Sequence, residues 1–210
     1  MQQLIQQRNV TLSLLNRAKI LCNTWAEVQL KSISTIHAIC NIVSQQRSTL
    51  DLPKIVETHG VNQQSLVFKQ ADSIGNLIER LQSIVDLLKD VQVSWNNLKN
   101  EVDRFMVKVL QRPEPTLQPL STESMLQVVT VDPFDLYDMV GRLAHSYKQE
   151  CNYKLNLFNN LSSHLKSSKE AYGLLELWQA DSHIDKKTIE QLSERIKLFN
   201  TVKKVLESVD

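Results

Sequence analysis

The sequence predicts an all-α fold: a long antiparallel helical hairpin of coiled-coil character, then a carboxy-terminal helical unit joined to it by a proline-rich linker. Three observations carry that expectation. Ile74, Leu77, Leu81, Ile84, Leu88, Val91, Trp95, Leu98, Val102, Phe105 and Val109 recur at steps of three and four residues without a miss, which is the period of a coiled-coil seam. Only 4 glycines occur among 210 residues, so regular structure is interrupted in few places. Pro113, Pro115, Pro119 and Pro133 fall in one stretch without helical periodicity. The segment that ends just before Pro133, residues 111–132, is the expected hinge between a unit at 1–110 and a unit at 133–210.

In the first unit the charges between the seam positions are balanced, Arg80, Lys89, Lys99, Arg104 and Lys108 against Glu79, Asp86, Asp90, Glu101 and Asp103, as on a solvated helix face. Upstream, Leu15, Ala18, Cys22, Trp25, Ile36, Ile39 and Val43 mark another long helix whose apolar stripe is broken by Gln29 and Ser32. Leu52-Pro53 and His59-Gly60 should end it and form the turn, because the residue before proline avoids the α region and glycine supplies a left-handed cap. Two long helices joined by a turn should fold back on each other.

The second unit opens with Asp132 as N-cap, Pro133 at the first helical position and Asp135 in the positively polarised first turn. Its apolar residues run from Leu136 through Val140, Leu143, Tyr147, Cys151, Leu155, Phe158 and Leu161 to Leu165. Ser167 with Glu170 three residues on reads as a capping box opening a short helix with Leu174, Leu175, Leu177 and Trp178. Asp181, Ser182 and Asp185 should break that helix and cap a last one, whose seam is Ile189, Leu192, Ile196, Phe199 and Leu206.

A balance of 24 Lys+Arg against 23 Asp+Glu gives a formal charge of +1, too little to mark nucleic acid or anionic membrane as the main partner. No window reaches the ~20 apolar residues of a membrane span. Cys22, Cys40 and Cys151 are odd in number and far apart, which suits buried reduced thiols and a cytoplasmic or nuclear location. No phosphate loop, nucleophile elbow or paired-cysteine metal spacing is present, so neither enzymatic activity nor a cofactor is expected. His37 and Cys40 offer two zinc ligands where a structural site needs four.

Candidate partner-binding residues are Tyr147, Lys148, Tyr153, Lys154, Leu177 and Trp178. The tyrosines are interleaved in a locally basic stretch, residues 141–170, that suits an acidic protein surface or, as an alternative, RNA. Trp178 ends a helix too short to bury all its apolar side chains. It either docks in the carboxy-terminal unit or anchors a partner.

Trp25, the Leu52-Pro53 break, Lys69-Gln70 ahead of the second helix, Ile78-Glu79-Arg80-Leu81 and Glu101-Val102-Asp103-Arg104-Phe105 follow one another in order. After the linker come Asp138-Met139, Tyr147, Tyr153-Lys154 and Leu177-Trp178. In order and spacing, over most of the chain, this series resembles the AIRIM family of ribosome-maturation factors. The carboxy-terminal half, with Leu174-Leu175-Glu176-Leu177-Trp178 ahead of a final helix, also resembles the cyclin-dependent-kinase-interacting protein family. After Tyr147 the sequence departs from the AIRIM pattern, with Lys148 and Lys154 where members carry a denser basic run.

The resemblance implies a non-catalytic adaptor of a valosin-containing-protein-like AAA+ ATPase complex, paired with a kinase-interacting-protein-like sister subunit. Such a complex acts in cytoplasmic maturation of the large ribosomal subunit, and members are also linked to clearing replication proteins from chromatin. Other classes compatible with the pattern are a subunit of another coiled-coil scaffold or tethering complex and an RNA-binding helical module.

Overall fold

A computed structural model describes residues 2–51, 58, 60, 62–111 and 131–207. Every regular element among them is a helix: α1 (Gln2–Asp51), α2 (Gln63–Leu110), α3 (Pro133–Asn159), α4 (Leu161–His164), α5 (Ser168–Gln179) and α6 (Lys186–Glu207). The all-α expectation holds, and α1 and α2 pack against each other as the long helix pair. Gln46 Nε2 reaches the Val67 carbonyl at 3.4 Å and Gln63 Nε2 the Thr49 carbonyl at 3.0 Å, while further back Arg17 pairs with Glu101 at 2.6 Å. The number of the α2 residue falls as that of the α1 residue rises, so the pair is antiparallel.

Several boundaries follow the local chemistry. α1 ends at Asp51, just before Leu52-Pro53, which itself lies outside the described residues together with His59. Gly60 has φ +69°, the left-handed conformation for which glycine was expected there. α3 starts at Pro133 with Asp132 Oδ1 accepting the Phe134 N–H at 2.7 Å. Ser167, in extended conformation, accepts the Glu170 N–H at 3.2 Å and its hydroxyl donates to the Glu170 carboxylate at 3.1 Å, which closes the start of α5.

Other boundaries differ from expectation. α2 begins at Gln63, upstream of Lys69-Gln70, because Asn62 Oδ1 accepts the Ser65 N–H at 3.0 Å and caps it earlier. α3 stops at Asn159 instead of running on to Leu165. There the Asn160 side chain donates to the Asn156 carbonyl at 2.8 Å and the Ser163 hydroxyl donates to the Asn160 carbonyl at 2.7 Å, local bonds that compete with the helical ladder. The single turn α4 follows. Pro113, Pro115 and Pro119 lie outside the described residues, as does most of the linker.

The compact units follow other boundaries than the proline-rich segment. One comprises Met1–Thr24, Val91–Lys148 and His183–Asp210, the other Trp25–Asp90 and Gln149–Ser182, so α1, α2 and α3 each contribute to both. The physical reason lies in the seams: α1, α2 and α3 carry apolar stripes along most of their length, so each unit draws its core from both sides of the prolines. In the first unit the buried residues include Leu15, Ala18 and Cys22 of α1, Val91, Trp95, Leu98 and Val102 of α2, Leu136, Leu143 and Tyr147 of α3, and Leu192, Ile196 and Phe199 of α6. In the second, Ile36, Ile39, Cys40 and Val43 of α1 cluster with Leu81 and Val85 of α2, Leu157 of α3, Leu161 of α4, and Ala171, Leu174, Leu175 and Trp178 of α5. The heptad seam is buried from Leu81 to Phe105, while Ile74 and Leu77 are half-buried against the second core. The Leu206 side chain, the last expected seam position, lies outside those described.

Candidate functional site

The six candidate partner-binding residues are divided between the two compact units. Tyr147 and Lys148 belong to the first unit and the other four to the second. Tyr147 is buried and stacks on Trp95, ring centroids 5.0 Å apart and planes 14° from parallel. Lys148 is exposed, Tyr153 half-buried against the second core and Leu177 44% exposed. Trp178 and Lys154 are both 0% exposed. Tyr147, Lys154 and Trp178 are therefore corrected: they are structural members of the two cores and are unavailable to a partner in the folded chain.

Trp178 is buried by means the short helix alone does not suggest. Its indole Nε1 donates to Ser32 Oγ at 2.8 Å, and the Ser32 hydroxyl donates in turn to the Gln29 carbonyl at 2.7 Å. Gln29 Nε2 returns to the Trp178 carbonyl at 2.8 Å, which closes a circuit between α1 and α5. The same carbonyl accepts Lys154 Nζ at 2.7 Å, so both of its lone pairs are used. Lys154 Nζ also lies 3.0 Å from Glu150 Oε1, 3.0 Å from Asp181 Oδ1 and 5.3 Å from the Trp178 ring centroid. The ammonium thus donates to one carbonyl and lies within ion-pair distance of two carboxylates, above an aromatic face and at the negative end of α5.

Burying an ammonium without such partners would cost several kcal/mol, so the cluster has to be complete to be tolerated. Asp181 completes it from an unusual backbone: at φ +44° it occupies the left-handed position just past the end of α5 that glycine or asparagine ordinarily takes. Aspartate tolerates that conformation better than most residues, and its carboxylate is thereby turned to Lys154.

Gln29, Ser32, Glu150 and Asp181 were not singled out as site residues by sequence reasoning. The signal was present for two of them. Gln29 and Ser32 interrupt the α1 stripe, yet α1 continues through them and both are buried, so a polar break in a seam marked a polar partner rather than an end of packing.

What the arrangement does chemically is hold one helix on another. The basic stretch 141–170 is thinner at the surface than in the sequence, because Lys154 is buried and Arg142 pairs with Asp138. Cys22, Cys40 and Cys151 are free, and burial pushes all three thiols up, away from thiolate reactivity. Cys40 Sγ sits 3.1 Å from the Ala171 carbonyl while His37 is exposed, so the two do not form a ligand pair. Among the described residues there is no group of three or more potential metal ligands, and no helix long and apolar enough to cross a membrane.

Neither a protein-family model nor a curated protein matches this chain.

Proposed function

We propose that this chain is a non-catalytic adaptor subunit of an AAA+ ATPase complex of the valosin-containing-protein class, acting in cytoplasmic maturation of the large ribosomal subunit. It pairs with a kinase-interacting-protein-like sister subunit and meets pre-ribosomal or chromatin clients only through the complex, in the cytoplasm and nucleus. The observation that carries this reading is the ordered series from Trp25 to Trp178. Trp25, Leu81, Val102, Phe105, Met139, Tyr147, Lys154 and Trp178 of that series are buried, so much of the likeness is a likeness of cores. Its exposed members, among them Lys69, Glu79, Arg80, Arg104 and Leu177, are where docking to a partner belongs.

Each compact unit draws on both sides of the proline-rich segment, so cutting the chain there would open both cores; point variants of the full chain are the better tool. Purified full-length protein is expected to hydrolyse no ATP by itself and to co-elute with a purified ATPase of this class in gel filtration, with the sister subunit present. Arg80→Glu is expected to weaken that association while leaving the circular dichroism spectrum unchanged. ATP hydrolysis by the chain alone, or no co-elution with or without the sister subunit, overturns the reading.

A further inference from the structure

Within the first unit, α1 and α6 enclose an open groove of about 460 Å³ that the polar circuit and the adaptor reading leave unused. Lys19 lines it from α1, Lys197 and Lys204 from α6, and Glu194 is the one carboxylate among the described residues of its wall. Among the described residues none of the three lysines has an ion pair or side-chain hydrogen bond, in contrast to Lys154, Lys89 and Arg142 elsewhere in the chain. The buried Ile196 contributes to its lining, and Asn200 and Thr201 add uncharged polar groups.

We propose that this groove is a docking site for an acidic amphipathic helix of a protein partner. Charge complementarity selects the sign: three unpaired ammonium groups against one carboxylate leave a positive field in a concave site, where attraction to acidic side chains is strongest. Spacing selects the form. Lys197 and Lys204 stand seven residues apart on α6, about 10.5 Å along the axis, which matches acidic residues two turns apart on a docked helix. Ile196 and the aliphatic stems of the lysines receive an apolar side chain between those acids. Single-stranded nucleic acid is the poorer fit, since no aromatic side chain lines the groove for base stacking and Glu194 would face phosphate. The proposal is independent of the adaptor reading, because the groove selects its ligand by charge and shape whichever complex the chain joins.

The test uses the full chain and a fluorescein-labelled helical peptide with glutamates four and seven residues apart around a leucine stripe. A glutamine-for-glutamate version, an oligouridine strand and sedimentation of the protein alone serve as the other arms. The glutamate peptide is expected to bind with an affinity that falls as salt rises, and at least tenfold more weakly to Lys197→Glu/Lys204→Glu; the glutamine peptide should bind the unaltered chain at least tenfold more weakly. Lys166→Glu should leave the affinity unchanged. Both groove lysines are exposed and unpaired, so the variant should fold; Lys197→Gln/Lys204→Gln repeats the comparison with a milder change. The proposal is overturned if the charge-reversed protein binds the peptide equally, if no peptide binds, if only oligouridine binding is lost in the variant, or if the variant instead abolishes self-association.

Discussion

Trp95 and Trp178 are both 0% exposed, one in each compact unit, and they are buried by opposite means. Trp95 sits in an uninterrupted apolar seam, stacked on Tyr147, and its indole N–H has no hydrogen-bond partner among the described residues. Trp178 has its N–H on Ser32, its carbonyl on Gln29 and Lys154, and the Lys154 ammonium over its ring. Equal burial therefore conceals different sensitivities. The first site depends on volume and tolerates loss of the indole N–H, while the second depends on a set of polar partners of which none can be removed alone.

The largest effect expected from that contrast belongs to Lys154→Met. Removing the ammonium leaves Glu150 inside the fold without its cation, and breaking a buried pair in this way costs about 3–5 kcal/mol. Urea unfolding measures it. The double variant Lys154→Met/Glu150→Leu should recover much of the loss, because the fully buried carboxylate goes with the ammonium and only Asp181, whose side chain is 25% exposed, is left without the cation; a double variant as unstable as the single one would show that the lysine acts by packing alone.

Trp95→Ala and Trp178→Ala should both cost about 3–5 kcal/mol from lost burial and the cavity left behind. This corrects the sequence-level alternative in which Trp178 anchors a partner: the fold, and not only an interaction, should suffer.

How much of this the sequence revealed depends on how each residue is held. The seam from Leu81 to Phe105 could be read because periodicity is a property of single residues at fixed spacing. So could the starts of α3 and α5, where Asp132 and Ser167 cap within their own turn. Lys154 and Trp178 could not, because a lysine reads as solvated and a tryptophan on a short helix reads as spare until Gln29 and Ser32, well over a hundred residues away in sequence, are brought beside them. The division into units was illegible for a related reason. Pro113, Pro115 and Pro119 interrupt the helical periodicity of the sequence, but α1, α2 and α3 each carry apolar positions belonging to both units, and compactness follows those contacts.

Smaller effects sharpen the comparison at the starts of α5 and α6. Ser167→Ala removes the cap of α5 and should cost about 1 kcal/mol, since one orphan N–H loses its acceptor. At the start of α6, Asp185 accepts the Thr188 hydroxyl at 2.6 Å and its N–H at 3.0 Å. Those bonds, the hydroxyl first, with the Arg142 and Lys187 charges contributing less, hold its carboxyl below the ordinary range. A depressed carboxyl stabilises the fold above its unfolded pKa, about 3.9, and loses that contribution as pH falls through the lower folded value. The stability difference between wild type and Asp185→Asn should accordingly shrink below about pH 4 in thermal melts recorded across pH; a difference that grows on acidification contradicts the assignment.

The contrast between the two tryptophans is tested most directly by Trp→Phe at each site, compared by urea unfolding of the full chain. Both substitutions remove similar volume, so the packing loss largely cancels in the difference between them. Only Trp178→Phe also strands Ser32 from its donor. It should be the more destabilising of the two by about 1–3 kcal/mol, the cost of losing one partner of a buried hydrogen bond, while Trp95→Phe gives up an N–H that had no partner to lose. Equal destabilisation at the two sites, or a larger loss at Trp95, would contradict the claim that Trp178 is held by its polar circuit.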